Sequence, residues 1–99
     1  MPIRANLIQG KGCSISPSAF IGYNEHGGKI ILGNNVKIMH DCILRTCTGI
    51  IQIGNSVSIG YGTIMHALGN IKIGDTTLLS PRVQIYAQNH GIKIGRAHV

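Results

Sequence analysis

The stretch Gly49-Ile50-Ile51-Gln52-Ile53-Gly54 decides the fold, because the chain repeats it with small variations. The other copies are Gly28–Gly33, Gly69–Gly74 and the shorter Gly91–Gly95. Their closing glycines lie at positions 33, 54, 74 and 95, so successive copies are 21, 20 and 21 residues apart. Self-similarity at a fixed period of roughly 20 to 50 residues is typical of repeat architectures. The sequence therefore predicts a chain built from stacked units of about 20 residues.

A shorter period of six residues lies inside each unit. Apolar residues recur at this interval, as at Ile53, Ile59 and Met65. A small or β-branched residue precedes many of them by two positions, and residues two apart point to the same face of a strand. Three such pairs are predicted to point inward from strands of about four to five residues: Val36/Ile38, Val57/Ile59 and Val83/Ile85.

Turn-forming residues separate these segments. Gly33-Asn34-Asn35, Gly54-Asn55-Ser56 and Gly74-Asp75-Thr76 occupy equivalent places. Gly, Asn and Asp tolerate the positive φ that tight corners require, and no segment shows the 3.6-residue period and caps of an amphipathic helix. The pattern predicts an all-β parallel solenoid, in which three strands and three corners close one coil. An antiparallel sandwich is the alternative, but a sandwich would not need a glycine at one fixed corner.

Three hexads resemble those of the hexapeptide-repeat acyltransferases: Ile53–Ser58 (IGNSVS), Ile59–Ile64 (IGYGTI) and Leu79–Gln84 (LSPRVQ). The resemblance implies a left-handed parallel β-helix, a three-sided prism. The handedness comes from the resemblance alone, since parallel crossover connections are generally right-handed. We expect a single domain over residues 1–99, with repeat coils at about 15–95 and an N-terminal lead-in at 1–14.

Length and hydropathy limit the possible locations of the protein. The 99 residues suffice for one domain, and the apolar runs are far shorter than the roughly 20 residues that a membrane span needs. The N-terminus lacks the apolar stretch of a signal peptide. A cytoplasmic location without a membrane span is the expectation.

The charge is positive but spread thinly. Nine Lys and Arg face three acidic residues, giving a formal net charge of +6. The bases stand singly, with no basic run and no interleaved aromatic residues, so nucleic-acid binding is not expected. A distributed positive charge would attract a small polyanion such as coenzyme A, or would simply increase solubility. Lys29, Lys72 and Lys93 alternate with apolar residues and are predicted to face solvent.

The cysteines do not form a recognisable redox or metal motif. Cys13, Cys42 and Cys47 are odd in number and have no CxxC spacing. Cys42 falls at an inward, small position of the hexad pattern. Reduced thiols without a redox or metal role are predicted.

The third corner of the last full unit differs from its counterparts. Leu44 to Gly49 is a step of five residues, whereas Ile85 to Gly91 is a step of six. This longer corner contains Gln88-Asn89-His90. Solenoids tolerate insertions at corners, and function in rigid scaffolds concentrates on loops. This corner is therefore the candidate functional site.

The segment Ile73–Gly91 resembles the one that delivers the catalytic histidine in sugar and polysaccharide O-acetyltransferases. By that resemblance, His90 is the general base that takes a proton from an acceptor hydroxyl as its oxygen attacks the thioester of acetyl-CoA. Asn89 would orient the acceptor or the imidazole. The family also implies a homotrimer with the site at a subunit interface.

Three further residues are predicted to bind the substrate: Tyr86, Tyr61 and His66. A metal centre is not expected, although one class of carbonic anhydrases uses the same solenoid. Those enzymes need three convergent histidines, two of them close in sequence, whereas His40, His66 and His90 are 26 and 24 residues apart here.

The sequence also departs from the acyltransferases. Their chain continues beyond the catalytic histidine for several coils that form most of the pantetheine groove, whereas here the next coil, Ile94–Val99, stops within one hexad. The residues that would bind the coenzyme are left unassigned. Two hypotheses stay open: an acetyl-CoA-dependent O-acetyltransferase acting on a sugar or similar hydroxyl compound, and a catalytically inactive, truncated β-helix that serves as a binding or assembly module.

Overall fold

The computed structural model describes residues 7–23, 28–88 and 92–94. These residues form thirteen short strands and no helix. In chain order the strands are β1 (Leu7–Gln9), β2 (Ser14–Ile15), β3 (Phe20–Tyr23), β4 (Lys29–Leu32), β5 (Lys37–Ile38), β6 (Ile43–Thr46), β7 (Ile50–Ile53), β8 (Ser58–Ile59), β9 (Ile64–Ala67), β10 (Ile71–Ile73), β11 (Leu78–Leu79), β12 (Gln84–Ala87) and β13 (Ile92–Ile94).

Every third strand pairs with its counterpart in the next coil, and all pairings are parallel. Sheet A has the order β1-β4-β7-β10-β13, sheet B the order β11-β8-β5-β2, and sheet C the order β12-β9-β6-β3. One coil takes about 21 residues, and the described residues make about four coils. The predicted all-β solenoid is confirmed, and its architecture matches a three-sided left-handed β-helix.

The core lies inside the prism, where the inward side chains of the three sheets meet. Ile51, Ile71, Ile59, Leu44 and Met65 are all fully buried. Stacking places like side chains above one another, since Ile30, Ile51 and Ile71 follow one register. A terminal coil has a neighbour on one side only, so the repeat stabilises itself chiefly in its middle coils.

Two of the three inward pairs predicted from the sequence are fully buried, and in the third pair Ile85 is buried while Val83 is half-buried. The strands of the two buried pairs are shorter than expected. Val36 and Ile38 are fully buried, as are Val57 and Ile59. Their strands β5 and β8 are only two residues long, because the valine of each pair still belongs to the end of the preceding corner. The six-residue period therefore predicts which residues point inward more reliably than it predicts how long each strand is.

The repeated glycine serves close packing rather than positive φ. The left-handed conformation falls two residues later, at Asn35 (φ 58°), Ser56 (φ 56°) and Thr76 (φ 57°). A Cβ atom on Gly33 would lie 2.8 Å from both the carbonyl carbon and the carbonyl oxygen of Gly54 in the next coil. Glycine is required there because the coils touch backbone to backbone.

A ladder of side-chain amides and a carboxylate links the same corners. Asn34 Oδ1 accepts a hydrogen bond from the Lys11 N–H at 2.9 Å, and Asn55 Oδ1 accepts one from the Asn34 N–H at 2.8 Å. Asp75 Oδ1 accepts one from the Asn55 N–H at 2.7 Å. Each corner thereby satisfies a backbone donor of the preceding coil that the sheets leave unpaired.

Cys13 and Cys42 are free thiols, and Cys42 occupies the inward position predicted for it. The Cys42 Sγ donates a hydrogen bond to the Gly60 carbonyl oxygen at 3.1 Å. Burial raises the pKa of the Cys42 thiol, because a thiolate would lose its hydration inside the prism. In the described part of the chain, no helix is long or apolar enough to span a bilayer.

Replacing Gly54 tests the close approach of the coils. Its Cβ atom would lie 2.8 Å from the backbone nitrogen of Asp75, so Gly54→Ala is expected to lower the free energy of unfolding by about 3 kcal/mol. Ser56→Gly, two residues away, should change it by less than about 1 kcal/mol, since glycine relieves the positive φ and loses backbone entropy. Urea unfolding measures both. Equal effects would contradict the packing explanation.

Burial of Cys42 predicts a loss of stability at alkaline pH. Because the folded-state pKa of the thiol is raised, its contribution is intact below the ordinary thiol pKa of about 8.5 and is lost as pH rises toward the folded value. The Tm of the wild type should therefore fall more steeply above about pH 8.5 than the Tm of Cys42→Ala. Parallel curves for the two proteins would rule out the thiol as the cause.

Candidate functional site

The predicted base His90 and its neighbour Asn89 lie outside the described residues. The structure does describe the strands on either side of them. Strand β12 of sheet C ends at Ala87, and strand β13 of sheet A begins at Ile92. The corner 88–91 therefore connects sheet C to sheet A.

Strand register measures the length of this corner. Ala87 pairs with Ala67, and Ile92 pairs with Ile71. Four residues thus separate β12 from β13, where three separate the paired positions in β9 and β10. The equivalent positions of β6 and β7 are also separated by four residues.

The corner is therefore not distinguished by its length, and the sequence-based reasoning on this point was wrong. Counting between glycines treated Gly91 as the counterpart of Gly69. By register, Gly91 directly precedes Ile92 as Asn70 directly precedes Ile71. What sets the corner 88–91 apart is its chemistry, because it carries an amide pair and an imidazole.

Two predicted substrate-binding residues are brought together beside this corner. Strand pairing aligns Arg45, His66 and Tyr86 in one row across sheet C. Their neighbours Met65 and Ala67 point inward, so the row points outward by strand alternation. The rings of His66 and Tyr86 meet edge to face, with centroids 6.2 Å apart and planes at 73°. Tyr86 is 49% exposed and precedes the corner by two residues.

This row offers a varied set of hydrogen-bonding groups on a rigid support. Arg45 supplies guanidinium donors, His66 an imidazole, and Tyr86 a phenol. Adjacent strands lie about 4.8 Å apart, which sets the spacing of the row. Beside it, Ile43 is exposed and Ile64 is half-buried on the same outer face. An apolar strip next to polar groups suits a ligand with both hydroxyls and ring carbons, such as a sugar.

Tyr61 lies elsewhere in the chain. It occupies the corner between β8 and β9, where its ring stacks on His40 with centroids 4.9 Å apart and planes at 9°. The Arg82 guanidinium lies 5.9 Å from the centroid of the same ring. Within one chain, the structure thus joins His66 to Tyr86 and places Tyr61 at a different corner.

Sequence reasoning did not identify His40 and Arg82 as companions of Tyr61. A signal was present, because positions 40, 61 and 82 are spaced by 21 residues, the length of one coil. As for metals, no group of three or more His, Cys, Asp or Glu side chains converges within the described ranges. The absence of a bound metal stays a prediction.

Comparison with known proteins adds no relative. No protein-family model matches the chain, and neither the curated proteins nor the solved structures yield a match. The fold is compatible with a hexapeptide-repeat β-helix, and the likeness to acyltransferases depends on the hexads and on the segment Ile73–Gly91.

The two aromatic contacts predict separate responses to substitution. Tyr86→Leu should change the NMR chemical shifts of the His66 ring protons, because it removes the ring current of the neighbouring phenol. The chemical shifts of His40 should stay unchanged. Tyr61→Leu should do the reverse. Each variant is expected to cost about 0.5–1.5 kcal/mol of stability beyond the lost apolar area. A response of both histidines to either variant would contradict the assignment of two distinct clusters.

Proposed function

We propose that the protein is an acetyl-CoA-dependent O-acetyltransferase with His90 as general base. The observation that carries the proposal is the position of the corner 88–91. Its first residue follows directly on β12, the strand whose Tyr86 contacts the half-buried His66. In the proposal, the acceptor rests on the outer face of sheet C, and His90 follows β12 by three residues in the sequence.

The proposed reaction needs one proton acceptor and no covalent enzyme intermediate. The His90 imidazole takes the proton of the acceptor hydroxyl as the hydroxyl oxygen bonds to the thioester carbonyl carbon. The carbon–sulfur bond then breaks, and the same imidazolium returns the proton to the leaving thiolate. Histidine suits both roles because its ordinary pKa lies near neutrality. Asn89 orients the acceptor or the imidazole.

The acceptor in this proposal is a sugar or a similar hydroxyl compound. His66 and Tyr86 supply hydrogen bonds to its hydroxyls, and the apolar strip of Ile43 and Ile64 packs against its ring carbons. Tyr61 lies at another corner, so its part in substrate binding requires a subunit interface. The proposal therefore includes a homotrimer in which one subunit's corner faces that of its neighbour.

Charge on the other side of the corner supports acetyl-CoA as acyl donor. The corner leads into sheet A, where Lys29 and Lys72 are exposed on the outer face. The chain as a whole carries a formal charge of +6. Lys29 and Lys72 would hold the phosphate groups, because ammonium groups bind phosphate as point charges. A cytoplasmic location, where acetyl-CoA is supplied, belongs to the same proposal.

The second candidate function is a catalytically inactive binding or assembly module. Exposed apolar side chains favour it, among them Ile8, Leu68 and Leu78, which are 55%, 41% and 43% exposed. Exposed apolar surface is a feature of surfaces that bind other proteins. Binding of acetyl-CoA distinguishes the two candidates.

Calorimetric titration with acetyl-CoA, together with an assay of acetyl transfer to a panel of sugars, tests the proposal. We expect the wild type to bind acetyl-CoA and to acetylate at least one acceptor. His90→Ala should retain binding and lose at least about 100-fold in rate, the lower range for a general base. The control Gln88→Ala, in the same corner, should keep its rate within about threefold.

Two outcomes would overturn the proposal in different ways. No binding heat and no thermal shift at millimolar acetyl-CoA would exclude the transferase and favour the inactive module. Full activity of His90→Ala would exclude His90 as base while leaving acetyl transfer intact. A monomer in light scattering would exclude the shared site and any substrate contact from Tyr61.

A further inference from the structure

A second polar cluster lies at the corner between sheets B and C, away from the site proposed above. It consists of His40, Tyr61 and Arg82, which we call the corner column, with Asp41 beside it. The ring of Tyr61 lies between the other two members: the His40 ring is 4.9 Å away and parallel within 9°, and the Arg82 guanidinium carbon is 5.9 Å away. The column runs along three successive coils.

Coil stacking holds the column in place. The Asp41 N–H donates to Ser18 Oγ at 3.0 Å, and the Gly62 N–H donates to the His40 carbonyl oxygen at 3.0 Å. The Arg82 N–H donates to the Tyr61 carbonyl oxygen at 2.8 Å. These bonds fix the backbone under each member, so the side chains need little reordering to bind a ligand.

The polar groups of the column are available to a ligand. The His40 side chain is 61% exposed and Tyr61 is 38% exposed. The Asp41 carboxylate contacts His40, with Asp41 Oδ2 3.2 Å from His40 Nδ1, and among the described residues no carboxylate forms a salt bridge with Arg82. Arg82 is exposed as well, so all three members of the column are open to solvent.

The chemistry of these groups favours an anion with several oxygens. The guanidinium presents paired donors that match the oxygens of a phosphate, and the phenol adds a single donor. Cation–π contact with Tyr61 holds the Arg82 guanidinium in place. Asp41 is the one acidic side chain at this corner, and its contact with Nδ1 orients the His40 ring. A phosphate fits better than a carboxylate, because it offers more acceptor oxygens to the Arg82 guanidinium and the Tyr61 hydroxyl, which come from two successive coils.

We propose that the corner column is a binding site for the phosphate group of a small phosphorylated molecule. The site uses neither His90 nor the His66–Tyr86 pair, and Tyr61 is the one residue that it shares with the proposed acetyl-transfer site. It requires no acyl donor. It can therefore stand or fail independently of the proposed transferase activity.

Titration of isotope-labelled protein with glucose 6-phosphate, followed by NMR without acetyl-CoA, tests the inference. We expect saturable shifts at Tyr61, Gly62 and the Arg82 side chain, and none with glucose. Arg82→Asn should weaken binding at least about tenfold, as expected for the loss of charge-assisted hydrogen bonds, and asparagine suits the positive φ of 62° at this position. Tyr61→Phe keeps the stacked ring, removes the hydroxyl, and should weaken binding by a few-fold.

Lys37→Gln is the matched control, because it removes one exposed positive charge on sheet B and leaves the column intact. It should change the affinity by less than about twofold, the effect expected from a distant, screened charge. Equal weakening by Arg82→Asn and Lys37→Gln would show general charge attraction and overturn the inference. Shifts that stay linear with concentration, or that map to sheet A instead, would overturn it as well. Unchanged spectra of the unliganded variants outside the corner confirm that each one folds.

Discussion

Parallel stacking of one coil on the next is the constraint on which the rest of this structure depends. Backbone hydrogen bonds cross from coil to coil at every side of the prism, as from the Gly33 N–H to the Ile53 carbonyl oxygen at 2.8 Å. Adjacent strands in such a ladder lie about 4.8 Å apart. This short spacing requires glycine where two backbones meet, and it places equivalent side chains of successive coils in contact. The buried isoleucine stacks and the Asn34–Asn55–Asp75 ladder both follow from it.

The same constraint organises the outer surface. A residue that points outward in one coil lies beside its counterpart in the next, so the solenoid arranges polar side chains in rows. His66 and Tyr86 form one such row on sheet C, and His40, Tyr61 and Arg82 form another at a corner. Rows of this kind are rigid because backbone hydrogen bonds to the adjacent coil fix the position of each member. A repeat scaffold can thus build binding sites from residues that lie one coil apart in sequence.

The fold could be predicted in detail, whereas the site could be predicted only in part. Inward positions such as Val57 and Ile59 repeat with a period that only a stacked solenoid explains, and both are buried. The outward positions of His66 and of Tyr86 follow from the same period. Counting between glycines misjudged the corner 88–91, because glycines mark close backbone contacts and do not all occupy the same register position. The companions of Tyr61 were missed since each of its neighbours belongs to a different coil.

The sequence by itself determined the number of strands per coil, the inward residues and the corners, because these depend on local periodicity and on turn-forming residues. The structure alone decided which outward side chains meet. His40 stacks on Tyr61, and His66 meets Tyr86 edge to face, because backbone hydrogen bonds between coils fix the register of the paired strands. One residue more or less in a corner would change that register. The repeated glycine illustrates both points. Its spacing in the sequence predicts the length of a coil, whereas the close contact of Gly33 with Gly54 that requires a glycine is seen only in the stacked structure.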